Sequence, residues 1–134
     1  MTARLAVEWI ALALGAGLWL GIAGRIAMRL VSLEAGVAPE FSTGGSVEVA
    51  LFGALLGAPI ALAFLIARSR WKLPAWSGVI VGLLLFAALA LVPPDPARSA
   101  LVATPDSPAA TAVLFGLAFA SYGALLGALT RLRP

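Results

Sequence analysis

The side chains best placed to do chemistry are two arginines four residues apart in GIAGRIAMRLVS and the glutamates that follow them. Arg25 and Arg29 share a helix face, because positions i and i+4 are neighbours on a helix surface. Paired guanidinium groups on one face can grip a phosphate or a carboxylate through two-pronged hydrogen bonds. Glu34, Glu40 and Glu48 are the nearby acids. Three kinds of chemistry follow. An Arg25/Arg29–Glu48 pairing would lock the chain's first hairpin. The arginines could instead hold a phospholipid phosphate or an anionic solute. A lipid enzyme would use Arg25 and Arg29 on the head group, with Glu48 or Glu34 as base. The plainest reading is a helix end at an interface, where two cations suit the negative end of the helix dipole and can snorkel to water.

The rest of the chain offers little else to react. Cysteine and histidine are both absent. That removes disulfides, Cys/His zinc sites, thiolate-held iron–sulfur clusters, and thiol or imidazole catalysis. No metal site and no cofactor is expected. FSTGGSVEV, at 41–49, could present glycine N–H groups to a phosphate, but no Gly-Lys-Ser/Thr follows. It reads as a turn in which Ser46 caps the second helix and Glu48 occupies the first turn.

The elements that must position these residues are set by composition. Of 134 residues, 62% are hydrophobic and 11% charged, with a mean hydropathy of +1.05. Soluble domains carry about 25% charged residues, and a short chain cannot bury this much apolar surface in itself. The expected solvent is lipid. Four segments are long and apolar enough for helical spans, at about 5–32, 46–67, 74–92 and 109–130. Pro74 and Pro108 suit helix starts, Pro93 and Pro94 stop the third helix, and Pro59, inside the second, is expected to kink it. The fold class is an all-α integral membrane protein, a single four-helix transmembrane bundle over 1–134.

Lys and Arg favour the cytoplasmic side of spans. With four spans, Arg4, Arg68, Arg70, Lys72, Arg131 and Arg133 share one side, against Arg25, Arg29 and Arg98 with Glu34, Glu40, Asp95 and Asp106 on the other. Both termini are therefore expected in the cytoplasm of a cell whose plasma membrane the chain crosses, with Trp9, Trp71 and Trp76 at the inner interface. A cleaved leader is the competing reading of the first span, and Glu8 and the length of the apolar run oppose it. Arg25 follows Arg4 by 21 residues, about 31 Å of helix, which puts the arginine pair at the outer interface.

Each span carries a GxxxG: Gly17/Gly21, Gly53/Gly57, Gly78/Gly82 and Gly123/Gly127. Glycine at that spacing lets helix backbones approach closely. FGALLGA at 52–58 nearly repeats YGALLGA at 122–128, a hint of two duplicated hairpins in parallel orientation. Ser121 and Tyr122 are polar groups in mid-span. Serine there is expected to bond back to the i−4 carbonyl, and tyrosine to need one partner. Glu8 is spaced to pair with Arg4.

G-R-I-A-M-R-L-V at 24–31, followed by F-S-x-x-G-S at 41–46, resembles a pattern in uncharacterised bacterial multi-pass membrane proteins, across about the first 60 residues. That resemblance implies an inner-membrane location and no particular activity. Small multidrug exporters differ in having a glutamate well inside the first helix, where this chain offers only Glu8 near the end. Fluoride channels differ in the spacing of Gly21, Gly24 and Arg29, and in polar motifs of the second and third helices that are missing here. The leading expectation is a non-enzymatic structural or interaction protein packed through GxxxG faces, with the lipid bilayer, a second copy or another membrane protein as partner. An oligomeric channel or small-solute transporter with an outer arginine vestibule is the alternative. Nucleic acid is not expected, because the basic residues flank apolar spans and form no patch on a domain.

Overall fold

The computed structural model describes residues 3–36, 42–92, 108–129 and 131. Four helices make up the described chain: α1 (Ala3–Glu34), α2 (Thr43–Trp71), α3 (Ser77–Ala90) and α4 (Pro108–Leu129). Three of them, α1, α2 and α4, are long and apolar enough to cross a membrane. The third is an apolar helix of 14 residues, shorter than the expected span. Residues 74–76 form a turn before it, with Ser77 N–H and hydroxyl both donating to Pro74 O, at 3.1 and 2.6 Å.

Two boundaries of α2 move for physical reasons. Its N-cap is Ser42, not Ser46. The Ser42 hydroxyl accepts from Gly45 N–H at 3.1 Å, so Gly44 and Gly45 are helical. Ser46 instead bonds back to Ser42 O at 3.1 Å, and Glu48 lies beyond the first turn. At the other end, the helix runs past the expected end of the span at about 67 and continues through Trp71. Arg68 and Arg70 occupy the last turn, where cations suit the dipole. Lys72 then closes the helix in the left-handed region at φ 49. The helix is continuous across Pro59.

The helices pack as two antiparallel hairpins, α1 with α2 and α3 with α4. α1 and α4 join them, and α2 touches α4 at a narrow contact. The shared core comprises Ala13, Ala16, Leu20, Ala61, Phe64, Phe119, Tyr122 and Leu126. Three of these eight residues are alanine, while Ile10, Leu14, Leu51, Leu55, Leu84 and Leu117 stand on the outside. Phe86 and Phe119 fix α3 on α4, with ring centroids 5.7 Å apart and planes at 41°. Arg4 and Glu8 pair at 3.5 Å, as their spacing predicts.

Candidate functional site

All eight GxxxG glycines lie in the seams between helices. In the first hairpin Gly17 faces Gly57 and Gly21 faces Gly53, so the seam is antiparallel. A Cβ added at Gly17 would stand 2.8 Å from Ala58 N, and one at Gly21 would stand 2.6 Å from Ala50 Cα. In the second hairpin Gly78 faces Gly123 and Gly127, and Gly82 faces Phe119 and Gly123. A Cβ at Gly123 would stand 2.7 Å from Val79 Cα. These are contacts of backbone with backbone, which no side-chain rotation can relieve. Gly15 and Gly24, outside the seams, face open space.

Tyr122 ties the hairpins together. Its hydroxyl donates to Gly57 O at 2.5 Å, across 65 residues of sequence, and the side chain is fully buried. The absence of a side chain at Gly57 makes the room. A Cβ there would stand 3.4 Å from Tyr122 Cε2 and 3.3 Å from Leu20 Cδ2. A carbonyl has two lone pairs, so Gly57 O can take the phenol as well as a helical N–H. Ser121 donates to Ala118 O at 2.7 Å, an i−3 bond in place of the expected i−4 one, because its oxygen also accepts from Trp19 Nε1 at 3.1 Å. Trp19 was not legible as a partner in the sequence. Its signal was its position in mid-span, away from the interfacial tryptophans.

The arginine end is arranged differently from the expected lock. Glu48 makes no ion pair with Arg25 or Arg29. The reason is its face. Glu48 stands five residues from Gly53, about 140° around the helix from the α1 seam. Arg25, one turn beyond Gly21, stays on the seam side. It is half-buried, and its Nη2 lies 3.8 Å from where a Gly45 Cβ would be, beside the start of α2. Arg29 and Glu34 are exposed. The structure thus brings Arg25 to the α2 N-terminus and leaves Glu48 and Glu34 apart from it. Glu40, Asp95, Arg98, Asp106, Arg133, Phe41 and the Pro93–Pro94 pair lie outside the described residues. No cluster of three or more metal-ligating side chains occurs among the described residues.

An apolar groove of about 340 Å³ runs along the outer side of the first hairpin, between Ile10 and Leu14 of α1 and Leu55, Pro59 and Leu62 of α2. The chain matches no protein-family model, no curated protein and no solved structure.

Proposed function

We propose that this chain is a small integral membrane protein of structural or interaction type, inserted with both termini on the cytoplasmic side. The observation that carries the reading is the inversion of side-chain size. The helix seams are built from glycine and alanine, and most of the large apolar side chains outside the small central core point outward. Water would make that arrangement costly, since exposed apolar patches of this extent are not tolerated by soluble monomers. In lipid there is no hydrophobic drive between helices, and close backbone contact is what holds them.

A dry interior supports packing over passage through a single copy. Tyr122 and Leu126 fill the junction completely, and among the described residues no charged or polar side chain other than the bonded tyrosine is buried there. Among the described residues no reacting constellation assembles around Arg25 and Glu48, which favours a scaffold associated with a second copy or a larger membrane complex. The resemblance of the Arg25–Arg29 segment to bacterial multi-pass proteins supports an inner-membrane location.

The test uses the absence of native cysteine. Ser121→Cys is treated in intact membranes with a water-soluble maleimide, beside Arg29→Cys and Arg70→Cys as outer and inner controls. A scaffold leaves position 121 unlabelled, labels position 29 from outside, and labels position 70 only after permeabilisation. Labelling at 121 would reveal a hydrated path and favour transport.

A further inference from the structure

Arg68 belongs to the buried stripe of α2. Gly57, Ala61, Phe64 and Arg68 recur at helical spacing, and the first three are buried. Carried on at the same register, the antiparallel seam that sets Gly17 against Gly57 and Gly21 against Gly53 would bring Arg68 level with the first turns of α1. Its Nη1 is covered by protein and meets no acceptor, and no ion pair engages the guanidinium among the described residues. Glu8, the carboxylate at that level, is held by Arg4.

Losing a proton is no escape for arginine, whose guanidinium stays charged in proteins. A covered nitrogen without an acceptor is unfavourable, and a buried polar group in that state needs an explanation. The dipole of α2 explains why basic residues occupy the last turn, and it suffices for Arg70, which is exposed. It does not explain why Arg68 turns inward. The surroundings are basic: Arg70, Lys72 and Arg131 are exposed at the same end. Trp71 and Trp76, both exposed, flank the turn, the side chains that favour the head-group level of a bilayer. At that depth the abundant anion is a lipid phosphate.

We infer that Arg68 binds the phosphate of an anionic phospholipid head group at the end of the bundle where α2 stops, with Arg70 and Lys72 supplying the outer field. The residue is only half-buried. A turn about its outer side-chain bonds brings the fork to the open edge, where its planar donors match phosphate oxygens two at a time. Basic pockets between membrane helices are suited to this role. The inference rests on the membrane reading above.

The experiment measures lipid retention by native mass spectrometry on the whole protein, offered phosphatidylglycerol and phosphatidylcholine together. Wild type is expected to prefer phosphatidylglycerol by roughly tenfold, the scale of one charge-assisted contact. Arg68→Gln should bring the two lipids close to parity, while Arg70→Gln should change the preference by no more than about twofold. Arg68→Lys, which keeps the charge without the fork, should hold an intermediate preference and decides the matter if Arg68→Gln does not fold. Equal retention by wild type, or an equal loss from Arg70→Gln, overturns the inference. Displacement of the lipid by millimolar inorganic phosphate would reassign the site to a free oxyanion and overturn the lipid assignment. Alkaline carbonate extraction separates the two readings. Release of the protein sinks the membrane reading, whereas retention in the membrane without lipid preference sinks this inference alone.

Discussion

FGALLGA at 52–58 and YGALLGA at 122–128 differ by one residue, and each lays its two glycines against the partner helix of its own hairpin. Beyond the glycines the two segments part. Phe52 is 63% exposed, whereas Tyr122 is 0% exposed. Leu56 is half-buried, and its counterpart Leu126 is completely enclosed. The same local sequence therefore makes the same seam but not the same surroundings. α4 has neighbours on two sides, α3 through its glycines and α1 through the Trp19–Ser121 bond and the packing of Ala118 with Ala23 and Ala27. α2 has one principal neighbour, and its remaining face is left to the solvent. One hydroxyl marks the difference, because only Tyr122 must find an acceptor, and it finds Gly57 of the other segment.

The largest expected effect is common to both segments. Gly53→Leu and Gly123→Leu each force a side chain into facing backbone, and each should cost more than about 3 kcal/mol in detergent unfolding. Tolerance at one of the two would show that its seam opens freely. The comparison is sharpest at the first position. Tyr122→Ala should destabilise by about 3–5 kcal/mol, while Phe52→Ala should stay within about 0.5 kcal/mol. An equal loss at Phe52 would mean that a second copy or another protein covers the outer face of α2.

Leu126→Ala should cost about 2–5 kcal/mol and exceed Leu56→Ala, measured in the same titration. Reversal of that order would place the true core on α2. Tyr122→Phe removes only the hydroxyl bond to Gly57, so the expected loss is about 0.6–1 kcal/mol. Phe52→Tyr, which adds a hydroxyl to an exposed ring, should change stability by less than about 0.5 kcal/mol. Smallest of all, Gly15→Ala and Gly24→Ala meet open space and should be neutral or stabilising by up to about 1 kcal/mol, through helix propensity alone.

Much of the architecture was legible because it depends on the composition of each segment. Apolar run length marked the helices, and proline marked the start of α4. The finer boundaries were not legible, since Ser42 and Ser46 are equally good caps in isolation and the choice turns on whether Gly44 and Gly45 coil. The expected Glu48 pairing failed for a similar reason. Spacing along α2 put Glu48 at the right depth, but its azimuth depends on which face α1 occupies.

The sequence by itself determined that the chain is helical, which stretches are apolar, and where small residues recur, because propensity and periodicity are local properties. Tertiary structure alone decided which glycine meets which, that Tyr122 rather than Phe52 is enclosed, that Trp19 reaches Ser121, and that Arg68 turns inward. Those outcomes depend on how each helix is rotated about its axis against its neighbours. That rotation is set by the closest fit of four surfaces at once, which no single segment contains.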